Sequence, residues 1–274
     1  MTRAYGVAFV VLLALCGGVF WWRRHQVAPV VAVQAPPPPP PAAPPPPAAP
    51  PPAPAIRHPL PPSSAGGLPS LEGSDAYFDN ALAELLGRKK VREFLHLDGV
   101  ARRFVATVNN LATDDASASL WPVKATEGRF EAEARGGGTV IAAGNAERYA
   151  PFVRFAQAID ARRAVALYLR AYPLLQQAYE DLGYPGKYFN DRVVEVIDNL
   201  LATPAPAEPI AVKRLVADGG PPGSGLYVYQ DSALETASAG QKILLRMGHE
   251  NAAALTAKLR EIRAQLVARP PAER

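Results

Sequence analysis

Sulfur chemistry is nearly absent from this chain: among 274 residues there is one cysteine, Cys16, and it sits inside an apolar run near the N-terminus. Disulfides and thiolate catalysis are thereby excluded from everything after that run, and the lack fits an oxidising compartment. Histidine is almost as scarce. After residue 67 only His96 and His249 occur, neither with a second histidine or a cysteine close by, so the spacings required by a zinc site or a serine–histidine triad are missing. No metal and no cofactor is expected. Gly136-Gly137-Gly138 lacks the strand-to-helix setting of a phosphate loop, and Gly223-Ser224-Gly225 lacks the glycine-x-serine-x-glycine spacing of a nucleophile elbow.

A concentrated charge of one sign is lacking too. Lysine and arginine total 29 against 25 aspartate and glutamate, a formal net charge of +4. The excess is Arg3, Arg23, Arg24 and Arg57, all before residue 68, so the remainder is neutral. Nucleic-acid binding needs a basic field that a neutral region cannot supply. The one local cluster, Arg88-Lys89-Lys90-Val91-Arg92, reads as a solvated helix entry, with contact to anionic lipid as the competing reading.

What is abundant is proline, 30 residues, and apolar sequence at the start. Residues 4–22 are uncharged and apolar and end at Arg23-Arg24. Nineteen residues at helical rise reach roughly 28 Å, close to the hydrocarbon thickness of a bilayer. Trp21 and Trp22 stand where the run meets the arginines, the interfacial place for such rings. A single membrane anchor over residues 1–25 is expected, with the bilayer as partner of residues 4–22. A cleaved signal is disfavoured by length and by the missing small-x-small site. A lipoprotein reading rests on Leu13-Ala14-Leu15-Cys16, where Leu15 is larger than that chemistry prefers. Lysine and arginine counts alone leave the topology open.

Residues 36–62 are nearly all proline and alanine, which favours polyproline II at ~3.1 Å per residue and a reach on the order of 80 Å. The segment 26–67 is expected to be a spacer, with 68–268 as one folded domain and 269–274 as a tail. Within the domain, Ser74-Asp75 offers caps for a helix with Phe78, Leu82, Leu85 and Leu86 on its stripe, stopped by Gly87. Val91, Phe94 and Leu95, then Phe104, Val108 and Leu111, continue the helical pattern. Residues 130–141 around the glycines predict a short hairpin. Helices are expected at 147–160, burying Phe152, Ala156 and Ile159, and at 162–182 on the stripe Val165, Tyr168, Tyr172, Leu175, Tyr179 and Leu182, where Pro173 predicts a kink. Another carries Phe189, Val193, Ile197 and Leu200. Residues 210–216 and 226–229 predict a two-stranded element, and 239–267 a helix that Gly248 divides. The fold class is thus mostly α: a single multi-helix globular domain with one or two short β-hairpin elements, preceded by one transmembrane helix and a Pro-rich linker.

Two chemistries compete for the stretch 172–199, which holds tyrosines, amides and charges about a Gly/Pro turn. Six of the ten tyrosines lie between Tyr149 and Tyr188. Such rings build recognition surfaces at low entropic cost, and equally they serve as core with their hydroxyls satisfied. Glu180, Asp181, Asp191, Glu195 and Asp198 raise a glycan-cleaving alternative with Glu180 as general acid, but spacings of three and four are also those of a solvated helix face. The candidate binding residues are Tyr149, Arg154, Tyr172, Gln176, Tyr179, Glu180, Tyr184, Asn190 and Arg192; no catalytic residue is assigned.

Several motifs carry a resemblance: Leu68-Pro69-Ser70-Leu71 with Ser74-Asp75, Arg103-Phe104-Val105-Ala106-Thr107-Val108-Asn109-Asn110-Leu111, Asn145 with Arg148-Tyr149, Tyr172-Pro173-Leu174-Leu175-Gln176-Gln177-Ala178-Tyr179, Leu182-Gly183-Tyr184-Pro185, Phe189-Asn190-Asp191-Arg192, and Gln241 to Gly248 with Glu250-Asn251. Through them the chain resembles the bacterial domain-of-unknown-function 3014 family. The resemblance implies an uncharacterised envelope protein of Gram-negative type, anchored at its N-terminus with its domain outside the cytoplasm. Asn109-Asn110 departs from the family pattern, which has Asp before the Asn. The joint expectation is a single-pass inner-membrane protein whose periplasmic domain engages an envelope protein or cell-wall glycan, or self-associates through 239–267.

Overall fold

The computed structural model describes residues 55–61, 66–206, 209–215 and 226–267. The apolar run 4–22 with Cys16, the tail 269–274 and all of the spacer before residue 55 lie outside the described residues. Among the described residues no helix is long and apolar enough to cross a membrane.

The described residues are mostly helical, with one small antiparallel sheet. Helix α1 spans Asp75–Leu86 and is stopped by Gly87 at φ 85°, a conformation that suits a residue without Cβ. The expected cap takes a different form. Ser74 is buried and its hydroxyl donates to the Leu71 carbonyl, while the Asp75 carboxylate accepts from the N–H groups of Gly99 (2.9 Å) and Val100 (3.3 Å). Asp75 thus caps the start of another helix, α3 (Val100–Leu111), whose first donors would otherwise be orphaned. Between them α2 (Arg88–Phe94) presents Arg88, Lys89, Lys90 and Arg92 to solvent and buries Val91.

Strands β1 (Ala132–Arg135) and β2 (Gly138–Ile141) turn at Gly136 and Gly137, both at positive φ, the pair of conformations a two-residue turn matched to strand twist demands. Helix α4 (Gly144–Gln157) begins three residues earlier than the pattern suggested and buries Val153 and Phe155, while Phe152 is half-buried. The shift has a cause in Asn145, which is buried. Its side chain accepts from Glu131 N (3.0 Å) and donates to Glu131 O (2.6 Å) and Ala142 O (2.8 Å), tying the helix start to the hairpin.

Helix α5 (Ala161–Asp181) starts at Asp160, whose carboxylate accepts from Arg163 N, and runs through Pro173 as one continuous element. Its expected stripe is buried at Val165, Tyr172, Leu175 and Tyr179; Leu182 lies beyond the last turn and is exposed. Helix α6 (Phe189–Leu201) buries all four residues of its expected stripe. Strands β3 (Ala211–Leu215) and β4 (Leu226–Tyr229) pair as expected but do not stand alone. Thr139 and Val140 of β2 pair with Val212 and Ala211 of β3, merging both hairpins into one sheet of order β1-β2-β3-β4. A short helix α7 (Ser232–Glu235), without counterpart in the sequence reading, leads to α8 (Ala239–Arg246) and α9 (His249–Leu266), divided at Gly248.

The main core joins α1, α3, α5 and α6, with Phe78, Val105, Tyr172, Tyr179, Phe189 and Val194 among its members. Helix α9 packs across α4, α5 and α6, with Leu255, Leu259 and Ile262 half-buried against the core. Helix α8 approaches its neighbours closely at Gly240, where a Cβ would stand 2.5 Å from Leu200 Cδ2 and 2.9 Å from Leu111 O.

Candidate functional site on helices α5 and α6

The turn from α5 to α6 is closed by a single side chain. Gln176, one turn before the end of α5, accepts from Tyr172 Oη (2.9 Å) and Phe189 N (2.8 Å) and donates to Lys187 O (2.7 Å) and Glu180 Oε1 (2.8 Å). All its donors and both acceptor positions are occupied, so the amide is a staple that sets the hairpin. Gly183 and Gly186 at positive φ let the chain reverse between them.

Tyrosine rings fill the space this creates. Tyr179 stacks on Tyr184 with centroids 4.7 Å apart and lies 5.2 Å from the Phe189 ring; Tyr172 lies between Tyr168 (5.7 Å) and Tyr188 (5.3 Å). The polar tips of Tyr168, Tyr172 and Tyr184 are paired. Tyr172 Oη accepts from Asn190 N (3.2 Å), Tyr184 Oη accepts from Asn109 Nδ2 (3.2 Å), and Tyr168 Oη donates to Asn190 Oδ1 (3.1 Å). Burial pushes the Tyr168 and Tyr172 phenols well above the ordinary tyrosine range and raises Tyr179 in the same direction. The Tyr168 and Tyr172 hydroxyls are neutral hydrogen-bonding groups.

Arg192 reaches from α6 to α3, donating to Asn109 O (2.6 Å) and to Glu195 Oε1 (2.6 Å), while its Nε is buried with no hydrogen-bond partner. The motif around Asn109 and the motif around Asn190 are therefore two halves of one bonded network. Glu180 is exposed. Its carboxylate accepts from Gln176, the neighbouring Asp181 is engaged by Arg102 (2.9 Å), and at this exposed position Glu180 lacks the apolar enclosure that raises the pKa of a glycan-cleaving acid. Tyr149 and Arg154 stand apart on α4: Tyr149 packs with Val196, Leu200, Leu244 and Met247, and Arg154 is exposed. The sequence-derived set thus divides, with Tyr172, Gln176, Tyr179, Tyr184, Asn190 and Arg192 brought together, Glu180 joined to them at the exposed edge through Gln176, and Tyr149 and Arg154 standing apart.

The outer edge of this network is occupied by the chain itself. Residues 55–61, the end of the proline-rich spacer, lie along α6, where the Asp191 carboxylate accepts from Arg57 N (3.0 Å) and His58 N (2.7 Å). Leu60 N donates to Tyr188 Oη (3.0 Å), and Asn190 Nδ2 donates to His58 O (2.8 Å). The Leu60 side chain packs on the main core, and Arg57 adds an exposed ion pair with Glu195 at 3.6 Å that contributes little. Bonds of these kinds are worth roughly 4–9 kcal/mol together. Ordering four residues costs roughly 4–8 kcal/mol, so the bonds and the ordering nearly cancel and the burial of Leu60 tips the segment to the docked state. Tyr188, Asp191 and the segment 57–60 did not enter the sequence-derived set. Asp191 carried a signal in the sequence as a carboxylate in a charged run and as part of the Phe189-Asn190-Asp191-Arg192 motif, neither of which points to the tether.

Elsewhere, a cleft of about 250 Å³ opens between the end of α6, residues 203–206, α8 and α9, lined by Leu201, Pro204, Ile210, Leu245, Ala252 and Arg260 among others. Among the described residues no group of three or more metal-ligating side chains comes together. A family described as "Protein of unknown function (DUF3014)" matches residues 100–263, which takes in α3, the sheet, the hairpin of α5 and α6, and most of α9. No curated protein and no solved structure matches the chain.

Proposed function

The chain belongs to the family of proteins of unknown function DUF3014, and from that premise we propose that it is a membrane-anchored binding or scaffold protein of the bacterial cell envelope. In this reading residues 4–22 cross the inner membrane, residues 26–67 form the spacer, and the helical domain stands in the periplasm and engages another envelope protein or cell-wall glycan. The observation that carries the reading is the capture of the spacer's end by Asp191, Tyr188 and Asn190. A domain that grips its own tether is held at a defined end of that tether, which suits presentation of a surface to a partner better than turnover of a diffusing substrate. The apolar length of residues 4–22 and the neutral charge of the domain support the same assignment.

A reporter fused to the C-terminus tests it. The reading expects activity from a reporter that works only after export, and retention of the protein in membranes washed with carbonate. A reporter active only in the cytosol, or release by carbonate, overturns it.

A further inference from the structure

The contacts to residues 57–60 fall almost entirely on main-chain atoms. With Arg57 as position i, the site takes the N–H of i and i+1 on Asp191, the N–H of i+3 on Tyr188, and the carbonyl of i+1 on Asn190. Position i+2 is Pro59, which has no N–H and from which none is required; it is exposed. Position i+3 also places an apolar side chain, Leu60, against the core. Asn190 has no exposed surface, so its side-chain amide donor is aimed at a carbonyl that only this segment supplies.

We infer that this face of α5 and α6 is a main-chain clamp for an extended peptide, that it selects by the pattern of available N–H groups, and that residues 57–60 of the same chain are its ligand. The spacer sequence gives the pattern its force. Within residues 36–62, proline leaves only two starting positions, Ala55 and Arg57, with N–H groups at i, i+1 and i+3. Starting at Ala55 would set His58 in the apolar slot; starting at Arg57 sets Leu60 there. Every other register within residues 36–62 is barred by a missing donor. The prolines of residues 36–62 therefore do two jobs: they extend the tether, and within that stretch they leave a single register that also sets an apolar side chain at i+3. Docked, the free tether ends at residue 56; released, it gains about ten residues, roughly 30 Å in polyproline II. The inference holds whether or not residues 4–22 enter a membrane, so it stands or falls separately from the envelope assignment.

Hydrogen exchange of the full chain in detergent, read by mass spectrometry over residues 55–61, tests it. The wild-type amides of Arg57, His58 and Leu60 should exchange at least about tenfold more slowly than in Asp191→Ala. His58→Pro, which removes one required donor, should release the remaining amides to the same extent, while Pro59→Ala, which adds a donor where none is used, should leave them protected. Amides of the β-sheet serve as the folding control. A synthetic peptide of residues 55–61 added to the His58→Pro chain should slow exchange around residues 188–191, and the same peptide with proline at position 58 should not. Equal protection in His58→Pro and wild type, or release by Pro59→Ala as full as by His58→Pro, overturns the clamp. Protection that disappears on dilution would assign the segment to a second copy and overturn occupancy within one chain.

Discussion

The side-chain amide of Asn190, closed off from solvent, donates to the carbonyl of His58 across 2.8 Å and a sequence separation of 132 residues. The same amide accepts from Tyr168, so one buried side chain couples the tether to the middle of α5. Asn190→Ala leaves a tyrosine hydroxyl and a peptide carbonyl short of a partner, and should destabilise the chain by about 2 kcal/mol in denaturant titrations. Asn190→Ala with unchanged stability would mean that the network carries no weight.

Gly240→Ala separates helix propensity from packing. In an open helix the substitution gains about 1 kcal/mol. Here the new methyl group meets Leu200 at 2.5 Å and the fixed carbonyl of Leu111 at 2.9 Å, so a net loss of about 1–3 kcal/mol is expected in chemical denaturation.

Asp75→Ala tests the cap that α1 lends to α3. Loss of two hydrogen bonds to the N–H groups of Gly99 and Val100 should cost about 1 kcal/mol, measured as a lowered Tm.

Alkaline pH should unfold the chain before the sheet or helices are otherwise stressed. Tyr168 and Tyr172 are pushed well above the ordinary tyrosine value by burial, and Tyr229, buried with its hydroxyl donating to Lys242 O, is pushed up to about 12. Below pH 10 both states hold these protons and the stability is intact. As pH rises past the unfolded value of about 10 the unfolded chain releases protons that the folded chain keeps, so stability falls. Calorimetry from pH 8 to 11.5 should show this decline, and Tyr229→Phe should make it shallower by about 1.4 kcal/mol per pH unit above 10. At the acid end Arg263 holds Asp198 below its usual range by hydrogen bonding, and that contribution, present above the ordinary carboxylate value, is lost as pH falls through the lowered one.

Elements with a strong period of their own are legible in the sequence. The stripes of α5 and α6, the stop at Gly87, the turn at Gly136-Gly137 and the division at Gly248 all follow from local chemistry, and the structure has each of them. What escaped was long-range. The pairing of β2 with β3 joins segments some seventy residues apart and leaves no mark in either strand's alternation. Asp75 looks like a cap for its own helix until the fold brings Gly99 to it. The tyrosine and amide cluster was visible as composition, but composition does not say whether a polar tip faces a ligand or a neighbour. For Gln176, Tyr172 and Tyr184 the partner is in the same domain, and for Asn190 and Asp191 it is the tether.

The central claim, that the domain grips its own tether, is most directly tested by a distance. With Cys16→Ser, spin labels at Ile56→Cys, exposed beside the docked segment, and Glu133→Cys, exposed on β1, report the position of the tether relative to the fold. The account predicts one narrow distance distribution that broadens and lengthens in Asp191→Ala. A distribution equally broad with Asp191 and with alanine in its place would contradict it.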